Sequence, residues 1–227
     1  MEEYEKIINF EEKNLTDKRD KAIIAFLFIS LARIGAVSTA TIEAIDIKKM
    51  IFKQDPLENI KTKRSKHIIT KLLKFDEKYY QIFKDWYNFL VANNFSGKDP
   101  LFPEIKNDLL TKKFFGKEID YNRMLEKRCI AAKTPEYTPH AFRHFGIYQC
   151  FGRITNGFQL KALSQNVGHE DVRTILEQYG NMPVNKYTQV LEKMFEVDDI
   201  ENEYTSNLST SILLKIVQQR LGKDLSF

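Results

Sequence analysis

The chain has 227 residues, 43% hydrophobic and 29% charged, so it is long enough for one sizeable core, alone or with a small appended unit, and has the composition of a soluble globular protein. Nine Gly and six Pro are too few for a turn-rich all-β fold, and we expect helices to dominate. The net charge of +4 permits nucleic-acid binding without requiring it.

The first part of the chain predicts a leading segment and then a buried helix. Residues 1–16 are polar with scattered apolar positions, and we expect a leading helix or the remnant of a linker; the pattern of a signal peptide is absent. Asp17–Ala32 begins with charged residues and continues as an apolar run, which predicts a helix buried in the core. That run is too short to span a bilayer, so no membrane partner is expected.

A single basic residue and then a basic hairpin follow this helix. Arg33 lies at the predicted helix end, where a cation also interacts favourably with the helix dipole, and a further helix is predicted over Ser38–Ala44. Ile45–Phe52 and Ile60–Thr70 alternate Ile with polar residues, which predicts a small antiparallel sheet. Nine basic and two acidic residues lie between Lys48 and Lys74, so this region should form a basic surface.

The middle of the chain predicts two more helices. Asp76–Asn94 is amphipathic, and its aromatic stripe is interpreted as core rather than as a surface that stacks on bases. Glu118–Ala132 is the second helix. Cys129 and Cys150 are too few and too far apart for a disulfide framework, so we expect reduced thiols and a cytoplasmic location.

The candidate chemistry begins at Thr138, in the sequence T-P-H-A-F-R-H. Thr138 suits the cap of a helix, and Pro139 suits its first turn, where a missing N–H costs nothing. His140 and Arg143 then fall three residues apart on one helical face.

A second segment of this region places further functional groups at helix ends. Leu160–Gln165 is predicted to be a short helix that stops at Gly168 and delivers His169 on a turn. A third helix is expected over residues 172–178, ending at Tyr179. Side chains at helix ends can converge on one cleft.

These residue types suit a phosphate ester. A guanidinium grips two phosphate oxygens, imidazoles donate to the others, and a phenol can act as a covalent nucleophile. The spacing of His140 and His144 is also that of a zinc-binding His-Glu-x-x-His helix. Ala141 stands where such a helix carries its Glu base, so no metal site is expected.

Taken in order, the motifs H-A-F-R-H, L-S-Q-N-V-G-H-E and Q-Y-G resemble the catalytic domain of the tyrosine recombinases, or phage-type integrases. The resemblance runs from about Asp20 to Tyr187. It implies a mainly α fold with a small antiparallel β-sheet (α+β) and a catalytic domain over residues 17–195. Residues 196–227 would form a linker plus a C-terminal helix that docks on its own subunit or on a neighbouring protomer.

The resemblance also implies an active site. Tyr179 is its nucleophile, preferred to Tyr187, and a Lys of the basic hairpin is its general acid, with Lys63 preferred to Lys61 and Lys66. The complete implied set of catalytic residues is Arg33, Lys63, His140, Arg143, His169 and Tyr179.

One position departs from the family pattern. Many members carry an acidic residue three positions after the first catalytic Arg, whereas this chain has Ala36. An acid there would buttress an active-site His or Arg, so the departure concerns the support of the site rather than its grip on phosphate.

The implied activity is that of a site-specific recombinase or integrase, which cuts and rejoins double-stranded DNA through a 3′-phosphotyrosyl intermediate without a cofactor. The implied assembly is a homo-tetramer on a DNA synapse and a monomer or weak oligomer in solution. The family's preceding DNA-clamping domain is not part of this sequence, so weak DNA binding by this chain alone is expected. The alternatives are a type IB topoisomerase, a transposase-like strand exchanger, a catalytically silent DNA-binding module and an interaction protein that docks through its C-terminal helix.

Overall fold

The computed structural model describes residues 2–169 and Arg173, and within them the predicted mainly helical fold is confirmed. The predictions for residues 172–178, Tyr179, Tyr187 and the C-terminal segment lie outside the described residues. The helices are Glu2–Ile8 (α1), Leu15–Ser30 (α2), Ile34–Ser38 (α3), Glu77–Ala92 (α4), Glu118–Ala132 (α5), Pro139–Phe151 (α6) and Gly157–Asn166 (α7). The strands are Ile45–Asp46 (β1), Ile51–Gln54 (β2), Ile68–Lys71 (β3), Pro103–Lys106 (β4) and Leu109–Phe114 (β5).

Helix α2 runs through the core, as its apolar sequence predicts. The Asn14 side chain caps it by accepting the Asp17 N–H at 2.9 Å. Residues 22–30 are all buried, which is typical of a helix that is apolar on every face. The helix ends at Leu31, whose φ of 51° is left-handed and turns the chain towards Arg33.

Helix α4 packs along α2 through its aromatic face. Phe83 stacks on Phe26 of α2 with a centroid distance of 4.7 Å. Trp86 is buried and donates its indole N–H to the Leu101 carbonyl at 2.9 Å. The interpretation of this stripe as core is therefore confirmed.

The predicted antiparallel sheet forms with shorter strands than predicted. Its order is β1-β2-β3, with Phe52 opposite Thr70, and β3 is an edge strand. Much of the predicted second strand is instead a connection that contains a 3-10 turn at Lys63–Ser65, where Arg64 has a φ of 60°. The polar, basic residues at this point form a turn instead of pairing with β2, so the alternating pattern alone predicted a strand that is too long.

Two further features of the fold differ from the sequence prediction. The helix predicted over Ser38–Ala44 is wrong, because α3 covers Ile34–Ser38 and Thr41 pairs with Pro100 instead. The hairpin β4–β5 was not predicted. Its turn residues, Asn107 and Asp108, both have positive φ, and such a polar pair between two short apolar runs is a recognisable hairpin signal.

Helix α1 belongs to the hydrophobic core rather than lying beside it. Ile7 and Ile8 are 1% exposed. Tyr4 stacks on Phe145 of α6 at 4.3 Å and meets Phe142 edge-on at 4.9 Å. The leading helix thus packs directly against the helix that carries His140 and Arg143. Of the helices that the structure describes, none has both the length and the apolar character needed to cross a bilayer.

Candidate active site

Four of the predicted site residues line one cleft of about 410 Å³. The connection between α2 and α3 supplies Arg33, the basic hairpin supplies Lys63, and the first turns of α6 supply His140 and Arg143. Lys61 lines the same cleft, so the choice between the two lysines stays open, whereas Lys66 is not among the lining residues. The three chain segments that sequence reasoning linked therefore meet in space.

Arg33 is half-buried and has no counter-charge among the described residues. It directly precedes α3, in an extended conformation with φ −70° and ψ 146°, rather than ending a helix as predicted. Burial lowers the pKa of its guanidinium. Within the described part of the chain no carboxylate pairs with it and no acceptor is bonded to it. A desolvated, unpaired cation in a cleft is typical of an anion-binding position.

Arg143, by contrast, is 4% exposed and tied into the fold. Its guanidinium donates to the carbonyl of Leu31, at the end of α2, and to the carbonyl of Val167 at 2.6 Å, at the end of α7. Helix α6 comes this close to α2 because Gly146 has no side chain: a Cβ there would lie 2.2 Å from Leu31 Cδ2. Arg143 is thus both a cleft residue and a structural clamp.

His169 is held on a left-handed turn at the end of α7. The His169 N–H donates to the Ser164 carbonyl at 2.9 Å and the Gly168 N–H to the Gln165 carbonyl at 3.0 Å, which is the Schellman pattern. Gly168 has a φ of 67°, and a Cβ there would lie 2.5 Å from Ile68 Cδ1 of β3. Glycine is required on both counts, so the predicted turn is confirmed.

The electrostatics of the cleft keep His169 neutral. Burial, followed by the positive charges of Arg143, Arg33, His144 and Lys63, lowers its pKa from 6.5 to about 4. Nη2 of Arg143 lies 3.1 Å from Nε2 of His169. Because a guanidinium only donates, Nε2 accepts and the imidazole proton lies on Nδ1. That nitrogen is buried and has no bonding partner among the described residues.

His140 has a neighbour that sequence reasoning did not assign to the site. Nε2 of His144 lies 2.6 Å from Nε2 of His140, and the rings meet edge-on at 4.1 Å. Burial and the charges of His140 and Arg143 lower the pKa of His144. One ring must therefore donate and the other accept. Their i, i+4 spacing was weighed only as that of a zinc site, and it also brings the two rings into contact on one face of α6. No third His, Cys, Asp or Glu of the described residues joins it to form a metal-binding group.

Glu118 is a second residue that sequence reasoning missed. It begins α5 and lines the cleft, with Oε1 3.2 Å from the point where a Cβ at Gly35 would lie. Ala36, the position at which the sequence departs from the expected family pattern, is 1% exposed and packs in the core. The carboxylate of this cleft therefore comes from a distant helix, which no local pattern around Arg33 indicates.

Comparisons with known proteins agree with this architecture. The profile of the Phage integrase family matches residues 1–185. No curated protein matches the chain. Among solved structures, XerA recombinase has a TM-score of 0.59 at 18% identity, covering 85% of this chain and 61% of that protein.

Two DNA complexes share the same fold. XerH site-specific recombinase bound to difH substrate has a TM-score of 0.55 at 15% identity, covering 84% of this chain and 51% of XerH. The Tn1549 transposon integrase with transposon right-end DNA has a TM-score of 0.55 at 18% identity, covering 84% of this chain and 63% of that protein. The chain thus spans between about half and two thirds of these relatives. With most of its length matched by the family profile, the chain belongs to the phage integrase family.

Proposed function

We propose that this chain is the catalytic part of a tyrosine-type site-specific recombinase, which cuts double-stranded DNA and rejoins it through a 3′-phosphotyrosyl intermediate. The observation that carries the proposal is the half-buried guanidinium of Arg33, which forms no ion pair with any described residue and shares a cleft with Arg143 and Lys63. A site with this charge suits an anion, and the scissile phosphate of DNA is the anion that the family handles.

The phosphate is bound by groups from three segments. Arg33 takes one non-bridging oxygen, and Arg143 takes the other while its remaining N–H groups hold the fold. His169 is neutral at pH 7 and has one N–H, which a phosphate oxygen can accept. These donors are fixed before the substrate arrives, so they stabilise the charge of the pentacoordinate transition state with little reorganisation.

The covalent step then proceeds by in-line displacement. Tyr179 Oη attacks phosphorus, the bond to the 5′ oxygen breaks, and a free 5′-hydroxyl leaves. A free phenol has a pKa of about 10, so a base must take its proton at neutral pH. His140 is that base, beside the imidazole of His144. Lys63 gives its proton to the leaving oxygen. Attack by a 5′-hydroxyl of a partner strand reverses each step and rejoins the DNA, without a cofactor.

The proposed partners follow from this reaction. Strand exchange requires four active sites, so we propose a homo-tetramer on a DNA synapse and a monomer or weak oligomer free in solution. The chain spans 51–63% of these structural relatives, so the tests of this assembly include a chain extended by a DNA-clamping domain. We place the protein in the cytoplasm, where its DNA substrate and reduced thiols are found.

The test is a covalent adduct. Incubation with a nicked suicide duplex, whose short 5′ fragment diffuses away after cleavage, should give a denaturant-resistant protein–DNA species. Tyr179→Phe removes only the phenolic oxygen, so the adduct should disappear while DNA affinity persists. Tyr187→Phe is the matched control and should still form the adduct.

Two outcomes would contradict the proposal. If Tyr187→Phe loses the adduct and Tyr179→Phe keeps it, the nucleophile is the later tyrosine. If no adduct forms even with a chain extended by a DNA-clamping domain, the protein is a silent DNA-binding module. Relaxation of supercoiled DNA without any strand exchange would instead identify a type IB topoisomerase activity.

A further inference from the structure

The turn that carries His169 is fastened to the edge strand β3 by one side chain. Asn166, the last residue of α7, accepts the Lys71 N–H through Oδ1 at 2.6 Å. Its Nδ2 donates to the Lys71 carbonyl at 3.1 Å. An edge strand has outward N–H and C=O groups without a strand partner. The amide of Asn166 therefore pairs with β3 as a further strand would.

A second, buried connection acts on the same residue. The Thr70 hydroxyl donates to the Asn166 carbonyl at 3.0 Å and accepts from Gln54 Nε2 at 2.7 Å. Thr70 is fully buried and Gln54 is 4% exposed, so the bond between them is shielded from water and the bond to the Asn166 carbonyl is partly shielded. Asn166 is thus held to β3 at both its side chain and its backbone.

The rest of α7 provides little anchoring of its own. Within the helix only Leu163 and Ser164 are buried, and Phe158 is 69% exposed. Local stability is low where few apolar groups are buried. The position of the turn that follows therefore depends on the bonds at Asn166 together with those from Arg143 to Val167 and His169.

These contacts lie between the turn that carries His169 and the hairpin that supplies Lys63 to the cleft. His169 lies three residues after Asn166. The connection that carries Lys63 immediately precedes β3 in the chain. Between them, Gly168 packs so closely against Ile68 that a Cβ on it would lie 2.5 Å from Ile68 Cδ1. A displacement at Asn166 therefore changes the separation of the His169 imidazole and the Lys63 ammonium group, which the proposed mechanism directs at the same phosphate.

We propose that Asn166 is a positioning residue, whose amide sets the placement of His169 relative to the Lys63 hairpin. The expected effect on the cleavage rate rests on the proposed function, whereas the expected effect on the placement of His169 does not. The experiment measures the two effects separately. Asn166 touches neither the cleft nor the substrate position, so it acts through His169.

Three variants isolate this role. Asn166→Ala removes both bonds to Lys71. Thr70→Val keeps a β-branched residue in the strand and removes only the hydroxyl that bonds to the Asn166 carbonyl, so it loosens the same connection by a different route. The matched control is Asn156→Ala, which removes the cap at the other end of α7, where Oδ1 accepts the Gln159 N–H at 3.0 Å. The control weakens the helix without touching β3.

The first readout is the imidazole titration of His169, followed by NMR in the absence of DNA. Burial is the main cause of its low pKa, so a loosened turn should raise the pKa by about one unit towards that of a free imidazole. Asn166→Ala and Thr70→Val should both show this rise, and Asn156→Ala should not. An unchanged titration in both test variants, or an equal rise in the control, would overturn the proposal.

The second readout is single-turnover cleavage of the suicide duplex. Misplacement of a catalytic group by about 1 Å can cost roughly 10²-fold, so the cleavage rate of Asn166→Ala should fall by about tenfold to a hundredfold while DNA affinity is retained. A rate equal to that of the control would overturn the positioning role. If the wild type forms no adduct even when it is extended by a DNA-clamping domain, the proposed function fails, while the NMR titration still decides the placement of His169.

Discussion

The two arginines of the cleft should respond in opposite ways when each is replaced in the absence of DNA. Arg33 has no partner among the described residues, whereas Arg143 bonds to the carbonyls of Leu31 and Val167 and contacts His169. Arg33→Gln removes a desolvated charge. Arg143→Lys removes a planar fork that one ammonium group cannot replace, because its donors are too close together to span both carbonyls. We expect the first variant to be slightly more stable than the wild type and the second to be less stable.

The magnitudes follow from these contacts. A buried carbonyl left without a donor costs about 1–3 kcal/mol, and a chain of this size loses roughly 2–4 °C of Tm per kcal/mol. Arg143→Lys should therefore lower Tm by about 2–12 °C. Single stabilising substitutions, including changes of charge, commonly yield about 0.5–2 kcal/mol. Arg33 is only half-buried, so Arg33→Gln should gain at the lower end, about 1–2 °C.

Thermal unfolding monitored by circular dichroism is the appropriate assay. The buffer must be free of phosphate and sulfate, because an anion bound at Arg33 would stabilise the wild type and hide the gain. Both variants should lose suicide-substrate cleavage by about 10²–10³-fold, since each removes a donor to the transition state. A fall in Tm for Arg33→Gln as large as that for Arg143→Lys would refute the reasoning, because it would mean that Arg33 also supports the fold.

Three further predictions concern the hairpin lysines, the imidazole and the turn. Lys63→Ala should lose cleavage of ordinary DNA but recover it on a substrate with a 5′-bridging sulfur, because a thiolate leaves without a general acid; recovery by Lys61→Ala alone would shift the assignment by two residues. His169 has a lower pKa in the folded chain, about 4, than the usual 6.5, so the unfolded chain binds the proton first. Stability should therefore fall as the pH is lowered from 6.5 to 4, and His169→Gln should remove that part of the fall in a pH series of denaturant titrations. Gly168→Ala forces a Cβ to within 2.5 Å of Ile68 Cδ1 at a φ of 67°, and should lower Tm and cleavage together, with an unchanged Tm as the contradicting result.

Those features of the site that local sequence encodes could be predicted. Thr138 does cap α6 by accepting the Ala141 N–H, so His140 and Arg143 lie where the helical spacing places them. Gly168 does end α7 and turns His169 into the fold. Caps and glycine turns depend on a few adjacent residues, so a single sequence contains the information.

The features that sequence reasoning missed depend on contacts between distant segments. Glu118 enters the cleft from α5, more than eighty positions after Arg33, and nothing near Arg33 indicates it. The strands of the basic hairpin are shorter than their alternation predicts because the lysine-rich connection forms a turn. The short α3 begins one residue after Arg33 because Leu31 ends α2 in a left-handed conformation, a choice made by packing rather than by propensity.

The packing of α1 on α6 also bears on the order in which the protein folds. Tyr4 Oη donates to the Ala141 carbonyl at 3.5 Å, across a separation of 137 residues, and its ring stacks on Phe145. Contacts between such distant residues form slowly, because a long loop must close before they contribute free energy. During synthesis α1 cannot form its aromatic contacts until α6 has left the ribosome. Docking of α6, the helix that carries His140 and Arg143, onto α1 therefore depends on one of the last loops of the chain to close.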